Sequence, residues 1–183
     1  FDFLIVDHAN KMIQIKPGSW TLSKALITPP GYTLKAPKGL NLNLSGRGMI
    51  LARGPLDFIG SPDDMINISS QGSGNGLFVL NAKTESTFEN VVFKNLAAPT
   101  EKGWALLGAI TFYKSPVYIS DCSFIDNNSE DSLNIINSTF SINNSVFSNS
   151  KSDALDVDFG NGVINNVLFK NIGNDAIDVS GSN

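Results

Sequence analysis

The sequence predicts an all-β chain wound as one parallel β-helix, a solenoid of about eight coils. Three observations lead there. A motif returns at a fixed offset: Asp131-Ser-Leu-Asn-Ile-Ile136, Asp153-Ala-Leu-Asp-Val-Asp158 and Asp175-Ala-Ile-Asp-Val-Ser180 each stand 22 residues after the last. Leu, Ile, Val and Phe recur at the same columns, with Asn, Asp, Ser and Gly between them, which is the pattern of short strands and tight turns. No stretch carries helical periodicity over an ordinary helix length. A unit of two or three short strands cannot bury its own apolar face, but stacked copies can, with like residues roughly 4.8 Å apart.

Taken in order, residues 1–85 read as irregular early coils. Met12 to Leu22, Tyr32-Thr-Leu34, Leu40 to Leu44, Met49-Ile-Leu51, Leu56 to Ile59 and Met65 to Ile68 alternate or cluster apolar residues. Pro17-Gly18, Pro29-Pro30-Gly31 and Gly46-Arg-Gly48 punctuate them. Residues 86–183 read as regular coils of about 22 residues. Asn144-Ser-Val-Phe147-Ser-Asn149 matches Asn166-Val-Leu-Phe169-Lys-Asn171, with Asp121 to Phe124 and Asn90 to Phe93 as earlier copies. The longer step between those earlier copies predicts an insertion near 97–108. The 183 residues form one domain of roughly eight coils, on the order of 40 Å long. Phe93, Phe124, Phe147 and Phe169 form an internal aromatic stack. Asn90, Asp121, Asn144 and Asn166 form a turn ladder.

Composition narrows the function. Lys plus Arg number 13 and Asp plus Glu 17, a net charge of −4, and the pI is near 4.8. A nucleic-acid binder normally shows a basic stripe, so no nucleic-acid partner is expected. No apolar run reaches the roughly 18–20 residues of a transmembrane helix. One cysteine, Cys122, excludes an internal disulfide, and one histidine, His8, disfavours Ser-His-Asp and poly-His centres. Cys122 reads as a partly buried filler and His8 as a surface residue. The chain opens on Phe1 and the repeat is still strong at Ser180. The expectation is therefore a fragment of a longer protein. Leu155 and Val157 are expected to be buried, Ile177 and Val179 less so, with end-to-end self-association through an open last coil.

The Asn-x-x-Phe-x-Asn turns, the Asp-Ala-Leu-Asp-Val and Asp-Ala-Ile-Asp-Val strands and the opening Ile13 to Trp20 resemble the right-handed parallel β-helix (pectin lyase-like) superfamily. Pectate lyases, polygalacturonases and alginate epimerases belong to it. The resemblance covers most of the chain and implies a right-handed coil, as parallel crossovers generally prefer. It also implies an extracellular or cell-surface location and polysaccharide as partner. It carries no single activity. Pectate lyases of this fold pair Ca²⁺ with an Arg or Lys base, but the arginines here, Arg47 and Arg53, stand in the early coils. Lys151 and Lys170 are nearer the repeat. The His-Gly and Arg-x-Lys motifs of polygalacturonases and the Asp-Pro-His motif of alginate epimerases are missing, so no catalytic set is assigned.

Stacking turns the repeat into ladders. If Leu155 and Val157 face the core, Asp156 and Asp158 face out, with Asn134 and Asp178 on either side of Asp156. Asp131, Asp153 and Asp175 form a second ladder at the turn. One reading has the turn carboxylates accepting backbone N–H groups of their own tight turns and the outward ones simply solvated. The other notes that like charges about 5 Å apart repel and that a hard cation, Ca²⁺ above all, relieves them. The candidate metal set is Asp153, Asp156, Asp175 and Asp178. The candidate substrate-binding set is Asp156, Asp158, Asp178, Trp104 and Tyr113, the aromatic pair flanking an insertion that would wall a groove. Two functions follow: a carbohydrate-recognising or structural module of a surface protein, or a Ca²⁺-dependent lyase or hydrolase acting on an acidic polysaccharide.

Overall fold

The computed structural model describes residues 1–71, 76–101 and 104–183, with positions 100, 101, 104 and 105 in backbone only. The described residues contain strands and turns and no helix, hence none long and apolar enough to cross a membrane. Twenty-one of the strands form three parallel sheets of seven, one strand per sheet per coil, so the solenoid has seven coils. The predicted count of about eight is corrected because dividing by 22 assumes a constant unit. Partners in the last coils are 22 apart, as in Leu133, Leu155 and Ile177. In the middle of the chain Phe58 pairs with Phe88, and Phe88 with Ile119, 30 and 31 residues on. In the second of these longer coils the surplus includes the antiparallel pair Thr100–Glu101 and Trp104–Ala105, which stands apart from the three parallel sheets.

The early coils share the three-sheet plan. Ile13, Leu34 and Leu56 are register partners in the first sheet, and Trp20, Leu42 and Ile68 in the second. At the N-terminal end the strand Leu4–Asp7 runs antiparallel to Met12–Ile15 and covers that edge. Phe3 is buried there and stacks on Trp20 at 5.5 Å.

Alternation decides what is inside. In Asp153–Asp158, Leu155 and Val157 are buried while Asp156 and Asp158 are half-buried on the outer surface. Phe93, Phe124, Phe147 and Phe169 stack along the axis with centroids 5.2, 4.3 and 5.3 Å apart and nearly parallel rings. Stacked aromatics add roughly 0.5–1.5 kcal/mol per pair beyond burial.

The turns need left-handed backbone, which Asn and Asp tolerate better than other side chains. Asn90, Asp121, Asn144 and Asn166 all have φ near +50°. Asn166 donates its Nδ2 to Asn144 Oδ1 at 2.8 Å, which extends the turn ladder along the axis. Corner serines do a second job. Ser115, Ser138 and Ser182 each accept a backbone N–H from the preceding coil, of Ala82, Ser115 and Gly160. Each also donates to a carbonyl, which keeps both corner groups paired. Cys122 is fully rather than partly buried, and burial pushes its thiol up to about 12. In the last coil Ile177 and Val179 are 39% and 55% exposed against 0% and 1% for Leu155 and Val157, the contrast the repeat predicts.

Candidate functional site

The third sheet runs from Leu26–Ile27 to Ile177–Ser180, and its outer surface gathers the acidic residues. Its strands Gly108–Tyr113, Asp131–Ile136, Asp153–Asp158 and Ile177–Ser180 lie side by side. Register produces three columns. Thr111, Asn134, Asp156 and Asp178 form one; Tyr113, Ile136, Asp158 and Ser180 form the next. Gly108, Asp131 and Asp153 begin the strands, with Asp175 in the turn before the last one. Of the predicted substrate set, Asp156, Asp158 and Asp178 share this surface, and Tyr113 stands two coils from Asp158 in the same column. Lys114 Nζ lies 5.3 Å from the Tyr113 ring centre. Trp104 belongs to a two-residue strand paired antiparallel with Glu101, and its side chain lies outside the described residues.

The turn carboxylates bond differently from the local-turn expectation. Asp153 Oδ1 accepts the backbone N–H of Asp175 and the Nδ2 of Asn174, each at 2.8 Å, both from the following coil. Asp131 Oδ2 accepts Asn134 Nδ2 at 2.9 Å, and the same nitrogen donates to Asp156 Oδ2 at 2.7 Å. Neither aspartate accepts a backbone N–H of its own turn in these bonds; each spends its acceptor on the axial or strand neighbour that stacking brings close.

Burial, with charge crowding behind it, raises two of these carboxyls. Asp156 is pushed up to about 7, first by burial and then by the charges of Asp131, Asp158, Asp178 and Asp153. Asp131 is raised to about 6, again chiefly by burial, against the lowering effect of its Asn134 bond. Carboxylates that share a surface without cations shift in this direction.

Three carboxylates converge. Ligand oxygens of Asp153, Asp175 and Asp178 lie within 4.8 Å of one another. Opposed Ca²⁺ ligands at about 2.3–2.6 Å from the ion are at most roughly 5 Å apart, so this hard-oxygen set suits a divalent cation, with the remaining ligands from water. Asp156, the fourth member of the predicted metal set, is not one of the three; its carboxylate accepts from Asn134.

Leu106 and Leu107 border the columns. The segment between Val91–Lys94 and Gly108–Tyr113 contains the predicted insertion, and the Leu107 carbonyl accepts the Asp131 N–H at 3.3 Å. Leu106, Leu107, Thr111, Asn134 and Ile136 line a cavity of about 190 Å³. Larger depressions of about 270 and 380 Å³ lie in the early coils, but neither is lined by a buried polar side chain. Asn134 was visible in the 22-residue repeat as the neighbour of Asp156. Thr111 was not, because the insertion hides the alignment of its strand with the next.

Comparison with family models, curated proteins and solved structures finds no match to this chain.

Proposed function

We propose that this solenoid is a carbohydrate-recognising module of an extracellular or cell-surface protein, with polysaccharide as its partner. In this reading the glycan lies on the outer surface of the third sheet and a divalent cation, Ca²⁺ by preference, sits at Asp153, Asp175 and Asp178. The observation that carries it is the pairing of an acidic, hydroxyl-accepting column (Asn134, Asp156, Asp178) with a cavity beside it. Sugar hydroxyls donate to carboxylates and amides, and a parallel sheet repeats such acceptors at one coil step, which suits a polymer. The likeness of the turns and Asp-rich strands to the pectin lyase-like superfamily supports the same class of partner.

A second reading rests on Asp156. A carboxyl raised to about 7 holds its proton near neutrality, as the general acid of a glycoside hydrolase must. Asp158, two residues along the same strand, would be the paired carboxylate.

Binding to acidic and neutral polysaccharides, with and without Ca²⁺, tests both. The module reading expects retention without new products. The enzyme reading expects new reducing ends, or unsaturated uronate absorbance if the chemistry is elimination. Retention of no polysaccharide in either condition would sink the first reading.

The cation has its own readout. With Ca²⁺ at about a hundred times its Kd, linkage adds about 2.7 kcal/mol, which is roughly 5–10 °C in Tm for a chain of this size. Asp178→Asn, at an exposed position, is expected to remove the rise. Identical melting curves with and without millimolar Ca²⁺ would leave the three carboxylates as solvated charge.

A further inference from the structure

The geometry points to the cavity beneath Leu106 and Leu107 as a subsite for the acetamido group of an N-acetylated sugar, an inference that rests on the glycan-binding reading above. Asn134 supplies the key constraint. It is 2% exposed, and its Nδ2 donates to both Asp131 and Asp156. Both bonds come from the same amide nitrogen, so Nδ2 faces the two acids and Oδ1 is directed away from them. That oxygen is buried and has no hydrogen-bond partner in the protein. A buried acceptor left unpaired is costly, and Asn134 lines the cavity. The cavity therefore asks its occupant for a donor.

The rest of the lining refines the chemistry. Thr111, also buried, holds its hydroxyl in only a long bond of 3.4 Å to the Gly108 carbonyl, so the hydroxyl can turn to donate to an incoming oxygen. Leu106, Leu107 and Ile136 make the remaining walls aliphatic. One acceptor, one hydroxyl donor and an aliphatic wall match the three parts of an acetamido group. Its N–H meets Asn134 Oδ1, its carbonyl oxygen accepts from Thr111, and its methyl packs on the leucines and Ile136. A bare sugar hydroxyl pairs with Asn134 and leaves the aliphatic wall without a partner. A uronate carboxylate brings no donor and sets an anion beside Asp131 and Asp156.

The experiment compares methyl N-acetyl-β-glucosaminide with methyl β-glucoside, which differ at the acetamido position alone. Both are titrated into the full chain and observed by saturation-transfer NMR. The acetamido sugar is expected to bind about tenfold tighter or better, as sites built around buried polar groups discriminate strongly. Its acetyl methyl protons should take up the most saturation. Thr111→Val and Leu107→Ser are each expected to bring the two sugars toward parity, with the circular dichroism spectrum of the parent retained. Equal affinity for the two sugars overturns the subsite, as does an acetyl methyl no more saturated than the ring protons. Retention of a polysaccharide with neither small sugar bound also overturns it, and leaves the module reading standing. Failure of both sugars and every polysaccharide overturns both.

Discussion

Phe147→Ala is expected to lower the stability of the solenoid by about 3–5 kcal/mol, the range for deleting a buried aromatic ring. Phe147 is fully buried. It is sandwiched between Phe124 at 4.3 Å and Phe169 at 5.3 Å, so truncation removes two stacked partners and opens a cavity in the column. Phe124 sits on a strand bonded to coils on both sides, and the strand of Phe169 is held by its bonds to that of Phe147, so neither ring collapses into the gap without breaking register. Phe147→Leu keeps most of the apolar area and should lose less than half as much. Phe169→Ala, at a partly buried position in the last coil, should also cost less. Chemical denaturation of the three variants checks the ranking. A loss below about 1 kcal/mol for Phe147→Ala would mean that the column is not close-packed there.

The second large effect is electrostatic. Asp156 stands near 7 in the folded chain and near 3.9 when unfolded. Between those values the folded state holds the extra proton, so stability falls as pH rises from about 4 to about 7 and levels off above. Asp131, raised to about 6, acts in the same direction. Asp156→Asn removes one repelling charge and keeps a side chain of the same shape beside Asn134. Its Tm is therefore expected to exceed the parent's at pH 8 and to depend less on pH between 5 and 7. Solvent screening at this half-buried position limits the gain, which is read at roughly 2–4 °C per kcal/mol. Parallel Tm–pH curves for parent and variant from pH 4 to 8 would refute it. The same substitution separates the two readings of function, because an amide at 156 still accepts a sugar hydroxyl but cannot deliver a proton.

Much of this surface was legible in the sequence. The 22-residue offset places Asn134, Asp156 and Asp178 side by side, and the register confirms that column. The aromatic stack and the exposure of Ile177 and Val179 relative to Leu155 and Val157 followed from the same offset. The number of coils did not, because the middle coils lengthen without any repeat in residue identity. The orderly pairing of the early coils was hidden for a related reason. Ile13, Leu34 and Leu56 share only apolar character, and backbone hydrogen bonding aligns them without a motif.

The sequence by itself determined the winding of the chain, since only stacking buries columns of Leu, Ile, Val and Phe separated by turn residues. It also determined which carboxylates become neighbours, because a repeat read as parallel strands is already a register. Tertiary structure decided what those carboxylates do. Asp153, Asp175 and Asp178 converge while Asp156 turns to Asn134, a choice made by bonds across coils. Burial among the stacked strands sets the isolation of Asn134 Oδ1. Burial and accumulated like charge lift Asp156 far from its ordinary value. Each of these depends on distances between residues on different coils and on exclusion of water, and neither quantity exists until the coils have stacked.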